Sequence, residues 1–280
     1  MSETLADVQS RLENIRQLDA VVTAMRGIAA ARVQQSRKAS EGIAAYTATV
    51  SGAIGEALGL PSMRGLPPAP PPKGKLVIVF AAEQGLAGGY NNKVLEGLGT
   101  PGADDILLVV GSRGALALRE RGLSPAWSLR MASQIGAVAD IAGQVADELY
   151  RRIAAGPAAH ADLVHARLDG SRRIVVERTA LFPLDYSSFR SVTLLNPPLI
   201  TLPAAHLLES LAAEYVYARL CEAATEAFAC ENQSRLDAMG AASSNIGRKR
   251  EDLTRRENQL RQEAVTTELI ELAAGAGLIG

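Results

Sequence analysis

The last long segment of the chain constrains its fold more than any other part of the sequence. Residues 207–277 contain no proline, and most positions in Glu231–Ala276 are polar. Apolar residues recur there at a spacing of seven: Met239, Ile246, Leu253 and Leu260. One apolar residue per two helical turns forms a narrow seam, which is typical of a helix that packs against a single partner helix.

The length of this helix requires such a partner. At about 1.5 Å per residue, an uninterrupted helix from Ala204 to Gly277 spans roughly 110 Å. A compact domain of about 130 residues is only about 35 Å across. Much of the helix must therefore project from any such domain, and packing supplies most of the stability of a helix in a protein. The other end of the chain supplies the partner.

Residues 3–59 are predicted to be that partner helix. Their apolar residues step by three and four along the chain: Leu5, Val8, Leu12, Ile15, Leu18, Val22, Met25 and Ala29. Two consecutive three-residue steps, which end at Leu18, predict a stammer, which overwinds a coiled coil locally. Glycine costs about 1 kcal/mol against alanine inside a helix, so the glycines of this segment indicate close backbone approach or fraying. They are Gly27, Gly42, Gly52 and Gly55.

The middle of the chain predicts a spacer and a Rossmann-like α/β domain. Residues 61–75 contain six prolines, and a stiff spacer is favoured over a proline-rich ligand. Leu76–Phe80 and Ile106–Val110 are continuous apolar strands, each followed by a glycine-containing loop and a helical stretch, which indicates a parallel sheet covered on both faces. Asp169-Gly170 predicts a type I′ hairpin. The predicted segments are helix 1–60, linker 61–75, α/β domain 76–200 and helix 201–280.

Several classes of function find little support. The glycines of the loop Glu83–Tyr90 do not match G-x-G-x-x-G, and Gly111-Ser112-Arg113 stands where a ribose-binding acid would follow the second strand. A structural turn is therefore favoured over a phosphate site. The histidines and cysteines lack metal-ligand spacing, so no metal and no cofactor is predicted. Cys221 and Cys230 are too far apart along one helix to bridge.

Charge and hydropathy restrict the location and the partners. The formal net charge of −1 gives no reason to expect nucleic acid or an anionic membrane surface as a partner. No apolar run approaches the roughly 20 residues of a membrane span, and the first residues do not resemble a signal peptide. A cytoplasmic protein is expected.

Four separated motifs, in the right order, resemble the γ subunit of F-type ATP synthases. They are Val22–Met25 with Ile28–Arg32, similar to I-T-K-A-M-x-x-V-A-A-A-K; Gly85–Asn91, similar to G-L-C-G-G-F-N; Ala238–Asn245, similar to A-M-x-x-A-x-x-N; and Arg261–Glu271, similar to R-Q-A-x-I-T-x-E-I-x-E-I. The chain departs from that family at Ala87, which replaces the usual cysteine, and at Glu263, where a small residue is usual. These departures favour a divergent second operon of the sodium-linked type.

The resemblance implies a non-catalytic rotor without a small-molecule substrate. The terminal helices would form an antiparallel coiled coil inside a ring of three α and three β subunits. The Rossmann-like domain would sit on the membrane c ring beside an ε subunit, at the cytoplasmic face of the bacterial inner membrane. Ion flow through the c ring, whether of protons or of sodium, would turn the shaft and so drive ATP synthesis at the β subunits.

The resemblance also implies four subunit-contact residues. Met25 lies where the family's shaft passes the β levers, although packing in the seam explains this residue equally well. Gln262 and Thr266 fall where the family's shaft hydrogen-bonds a β-subunit loop, and Arg261 is a further subunit-contact position.

Two other classes of function remain open at this point. One is a nucleotide-dependent enzyme built on the central domain, which micromolar binding of ATP or NAD by the isolated chain would favour. The other is a static coiled-coil adaptor, which would not assemble α and β subunits into a hexameric ATPase.

Overall fold

A computed structural model describes residues 4–60, 74–156, 159–190 and 199–276. Most of the proline-rich linker and the Asn196-Pro197-Pro198 segment lie outside the described residues. The chain divides into two compact units. One consists of Met1–Ala29 with Leu236–Gly280, and the other is Ala30–Arg235. We call them the helical pair and the α/β unit.

Two long helices bound the chain, and strands alternate with short helices between them. The first helix, α1, is Leu5–Leu58, and the last, α5, is Ala204–Ala276. Between them lie, in order, β1 Lys75–Phe80, α2 Tyr90–Leu98, β2 Ile106–Val110, α3 Ser112–Glu120, β3 Trp127–Leu129, α4 Val138–Ala155, β4 His160–Leu168 and β5 Ile174–Phe182. The three-residue strand β3 was not predicted, because so short a run carries no periodicity.

The helical pair is an antiparallel coiled coil. Val8 and Leu12 of α1 pack against Leu253 of α5. Val22, further along α1, packs against Met239 and Ile246, which lie earlier in α5. Contacts that move forward on one helix and backward on the other require antiparallel helices. The predicted coiled coil, with its seven-residue seam in α5, is confirmed.

The predicted register of α1 was wrong at one position. Leu18 is 51% exposed, whereas the next residue, Asp19, is half-buried and lies 3.5 Å from Arg250 of α5. The inward-facing positions are therefore 8, 12, 15, 19 and 22, which alternate steps of four and three without a stammer. An aspartate occupies a seam position because it pairs across the helices, and the adjacent leucine faces outward.

The sheet of the α/β unit has the strand order β3-β2-β1-β4-β5. The first four strands are parallel, and β5 pairs antiparallel with β4. Side chains of β1 alternate between the faces, since successive residues of a strand point in opposite directions. Leu76, Ile78 and Phe80 pack with α4 and with residues 216–228 of α5. Val77 and Val79 pack with α2 and α3 on the other face. The Rossmann-like fold is confirmed.

The turn between β4 and β5 differs from the predicted type I′ turn. A type I′ turn needs positive φ at both central residues, but the left-handed residue here is Arg172, with φ 60°. The Asp169 carboxylate accepts hydrogen bonds from the backbone N–H groups of Ser171 at 2.9 Å and Arg173 at 2.8 Å. These bonds, that of Arg173 foremost, lower the pKa of Asp169. The side chain of Asp169 organises this turn, as in an Asx turn.

The predicted close approach of another backbone segment to a glycine of α1 occurs at one position. A Cβ at Gly55 would collide with the carbonyl oxygen of Arg190, whereas Gly27, Gly42 and Gly52 face open space. Close approach therefore explains Gly55 and not the other three.

Candidate functional site

The predicted contact residue Met25 belongs to the seam of the helical pair. It is half-buried beside Val22, Met239 and Ile246. Packing within the chain thus accounts for an apolar residue at this position, and contact with another subunit can involve only its exposed part.

The other three predicted contact residues lie together on the exposed surface of α5. Arg261 donates a hydrogen bond to Glu257 at 2.9 Å, and Gln9 of α1 donates to the same carboxylate oxygen at 3.1 Å. The Thr266 hydroxyl donates to the backbone oxygen of Gln262 at 2.8 Å. Residues four apart share one face of a helix. Gln262 and Thr266 therefore present adjacent polar groups to whatever surrounds α5.

Beyond them, apolar side chains on α5 face solvent. Val265 is 51% exposed, and Leu269 and Leu272 are 61% and 64% exposed. Steps of four and three put these residues on one side of the helix. A row of exposed apolar residues on one face is typical of a surface that another protein covers.

The carboxyl edge of the sheet is closed by Glu83, which follows β1. Its carboxylate accepts hydrogen bonds from the backbone N–H of Ser112 at 2.9 Å, from the Ser112 hydroxyl at 2.9 Å and from the backbone N–H of Met131 at 2.9 Å. Ser112 is the first residue of α3. Nucleotide-binding proteins of similar topology hold phosphates at helix N-termini along this edge. Here a carboxylate of the chain itself occupies one such position.

The loop after β1 is fastened to α5 by a buried ion pair. Glu231 accepts hydrogen bonds from the backbone N–H groups of Glu83 at 3.0 Å and Gln84 at 3.3 Å. Arg235, one helical turn later, donates to the carbonyl oxygens of Gln84 and Gly85, both at 3.3 Å, and to Glu231 at 2.5 Å. The two charged side chains are 5% and 4% exposed. We call Glu231 and Arg235 with their loop partners the α5 clamp.

Two further hydrogen bonds extend the α5 clamp. The Ser234 hydroxyl donates to the carbonyl oxygen of Ala87 at 2.7 Å, and the Tyr90 hydroxyl donates to that of Ala227 at 3.3 Å. Leu86 and Gly88 adopt left-handed backbone conformations, with φ of 60° and 55°. The glycine loop is thus a structural turn whose peptide groups bind α5.

The α5 clamp was missed from the sequence, although the spacing of the seam contained a signal. Counting back from Met239 in sevens leads to Asn232, Thr225 and Ala218, and all three are buried. A polar residue at a predicted buried position needs a hydrogen-bonding partner. Asn232 accepts from Arg235 at 3.1 Å. The seven-residue spacing therefore indicated buried polar contacts around residue 232, but it did not identify their partners in the loop.

The remaining titratable groups do not form a reactive centre within the described ranges. His165 Nε2 lies 2.8 Å from Glu226 Oε2, and no group of three possible metal ligands occurs among the described residues. Cys221 and Cys230 are buried and unpaired. Burial is the main cause that raises the pKa of both thiols, that of Cys230 to about 12. Neither thiol is an activated nucleophile.

Within the described part of the chain, no helix combines the length and the apolar composition that a bilayer span requires.

Comparisons with known proteins agree over nearly the whole chain. A family model described as ATP synthase matches residues 4–277. The ATP synthase gamma chain of Caldanaerobacter subterraneus subsp. tengcongensis is 25% identical over 295 residues, covering 97% of this chain and 99% of that protein. The ATP synthase gamma chain of Thermobifida fusca is 26% identical over 294 residues, covering 99% and 96%.

Solved structures share the fold. A chain in the Euglena gracilis mitochondrial ATP synthase, described as OSCP/F1/c-ring, superposes with a TM-score of 0.66 at 14% identity, covering 98% of this chain and 94% of that one. A chain in the Tetrahymena thermophila mitochondrial ATP synthase, described as central stalk/cring, gives a TM-score of 0.60 at 20% identity, covering 80% and 99%.

Proposed function

We propose, because this chain belongs to the ATP synthase gamma-chain family, that it couples ion-driven rotation to ATP synthesis and hydrolysis without catalysing a reaction itself. It is the rotor subunit of the central stalk. The observation that carries this function is the family match over residues 4–277, together with an antiparallel helical pair. That pair buries a narrow seam, and most of the side chains outside the seam are polar and exposed. Such a shaft can turn against a surrounding ring because contacts between exposed polar side chains are weak and can form again at each angle.

Its partners are the α and β subunits around the helical pair, the ε subunit and the membrane c ring. The exposed row Val265, Leu269 and Leu272 is typical of a surface that another protein covers. The solved structures that share the fold belong to assemblies described as OSCP/F1/c-ring and central stalk/cring. We place the subunit peripherally at the cytoplasmic face of the bacterial inner membrane, on the c ring. Its origin in a sodium-linked second operon stays a prediction.

The α5 clamp and Glu83 support a non-catalytic role for the α/β unit. Glu83 fills the N-terminus of α3 with a carboxylate, and like charges make that position unfavourable for a phosphate. The N–H groups of Glu83 and Gln84 and the carbonyl oxygens of Gln84 and Gly85 bind α5, so these peptide groups are not free to hold a ligand. A nucleotide-dependent enzyme is therefore disfavoured. Family membership disfavours a static adaptor.

We propose that the subunit consists of four segments: shaft helix 1–60, linker 61–75, α/β domain 76–200 and shaft helix 201–280. The end of α1 at Leu58 and the start of α5 at Ala204 support these boundaries.

Reconstitution tests the proposed function. Mixed with purified α and β subunits, the chain is expected to yield a hexameric ATPase that carries a single copy of it, because one asymmetric shaft fits one ring. Native mass spectrometry gives the stoichiometry, and phosphate release gives the activity. The same mixture without the chain is the control. Failure to form this complex, or several copies per ring, would contradict the proposal.

Gln262 offers a test of the proposed contact with a β-subunit loop. Gln262→Leu is expected to lower ATP synthesis by the assembled complex roughly five- to tenfold, because losing one net hydrogen bond costs about 1–1.4 kcal/mol. Synthesis is measured in ion-energised vesicles and divided by the amount of assembled complex. Gln17→Leu is the matched control, since Gln17 is an exposed glutamine of α1 in the same helical pair. Wild-type synthesis in Gln262→Leu would remove the assignment.

A further inference from the structure

The α5 clamp is more elaborate than holding a helix on a sheet requires. Burying two charges is costly, and an apolar pair of similar size often stabilises a fold at least as well. Yet Glu231 and Arg235 are almost fully buried, and both are satisfied by hydrogen bonds. The contribution of this ion pair is therefore sought in a property that apolar packing lacks, namely directional contacts.

The apolar contact between α5 and the sheet consists largely of small side chains. On the α5 side it includes Cys221, Ala223, Ala224 and Ala227, with Val216, Leu220 and Phe228 as the larger members. Small side chains allow close approach but interlock shallowly, and the hydrophobic effect has no preferred direction. This interface therefore resists separation of α5 from the sheet more strongly than rotation of α5 about its own axis.

Hydrogen bonds, in contrast, are directional, and those of the α5 clamp follow one side of the helix. They involve positions 227, 231, 234 and 235, which lie within about 100° of one another around the helix, and each reaches a residue between 83 and 90. That stretch follows β1, the central strand of the sheet. The carboxylate of Glu83 carries the connection on to α3 and to Met131. Rotation of α5 would break contacts at successive turns together.

We propose that Glu231 and Arg235 are positioning residues that fix the rotational register of α5 against the sheet, so that torque passes between them without slip. This proposal rests on the rotor function proposed above. The apolar interface supplies adhesion, and the α5 clamp supplies resistance to twisting.

The test compares Arg235→Ala with a matched variant elsewhere in the α/β unit. Arg152 donates to Glu148, four residues earlier on its own helix, and to the carbonyl oxygen of Ala126 at 3.2 Å. Its chemistry thus parallels that of Arg235, but it does not fasten α5. Arg152→Ala controls for the loss of an arginine that joins a helix to a loop.

Both variants are assembled into the full synthase in vesicles, and ion uptake is measured per ATP hydrolysed. Arg235→Ala is expected to lower this ratio at least twofold while hydrolysis continues, and Arg152→Ala is expected to keep the wild-type ratio. An unchanged ratio in Arg235→Ala, or an equal loss in both variants, overturns the proposal. A merely structural role would reduce the amount of complex and leave the ratio unchanged.

A conservative variant keeps the test decisive if Arg235→Ala does not assemble. Arg235→Lys retains the charge beside Glu231, but one ammonium group cannot reproduce the fork of donors that reaches two carbonyl oxygens. Its ratio is expected to fall between those of wild type and Arg235→Ala, and a wild-type ratio overturns the proposal. Failure of the wild-type chain itself to assemble or to pump would contradict the rotor function instead.

Discussion

Val22→Asp is expected to lower the free energy of unfolding of the helical pair by about 3–5 kcal/mol, the usual cost of an uncompensated buried charge. Val22 is 6% exposed and packs against Met239 and Ile246. An aspartate there would have to bury its carboxylate or separate the helices. Urea unfolding followed by circular dichroism measures the effect, because the helical signal of the pair should be lost at lower urea concentration.

Leu18→Asp is the matched control, since it introduces the same charge one helical turn earlier in α1. Leu18 is 51% exposed, and exposed substitutions usually change stability by less than about 0.5 kcal/mol. Equal destabilisation by the two variants would mean that Leu18 belongs to the seam, as the sequence alone predicts. The observed register of α1 would then be wrong.

Gly111→Ala is expected to destabilise the α/β unit by about 4 kcal/mol, from left-handed backbone strain and overpacking together. Gly111 has φ of 117°, and an added Cβ would collide with the backbone of Ala81 and lie 2.8 Å from the carbonyl oxygen of Ala82. Backbone atoms held in the sheet cannot move aside cheaply. Thermal unfolding of the isolated chain measures the loss.

The control for this substitution is Gly99→Ala, which separates backbone conformation from crowding. Gly99 also has positive φ, 68°, but an added Cβ there meets open space. With φ 68° and ψ −155°, Gly99 has a backbone conformation that is strained for alanine, so Gly99→Ala should cost about 1–3 kcal/mol from strain alone, without the overpacking. Similar losses at both positions would show that the close approach at Gly111 contributes little.

The parts of the fold that depend on periodicity were predictable from the sequence. Met239, Ile246 and Leu253 are buried as their spacing requires, because a seven-residue repeat fixes one side of a helix whatever the rest of the chain does. The apolar strands β1 and β2 were recognisable for a similar reason. Both are covered on two faces, so nearly every residue in them is apolar.

The parts that depend on distant partners were not predictable. Asp19 occupies a seam position because it pairs with Arg250. A prediction from hydropathy alone places the neighbouring Leu18 in the seam instead. Glu83 accepts a hydrogen bond from the N-terminus of α3, 29 residues later in the chain. Glu231 binds a loop 148 residues earlier in the chain. A polar residue shows no periodicity that names its partner, so the α5 clamp needed the structure.

The exposed apolar row near the end of α5 bears on how the subunit is produced in the cell. Val265, Leu269 and Leu272 have no cover within the described chain, and exposed apolar surface makes newly made proteins prone to aggregate. Free copies should consequently be short-lived. If the α and β subunits are synthesised at the same time, they would cover the row soon after translation. Surplus copies would become substrates of chaperones and proteases.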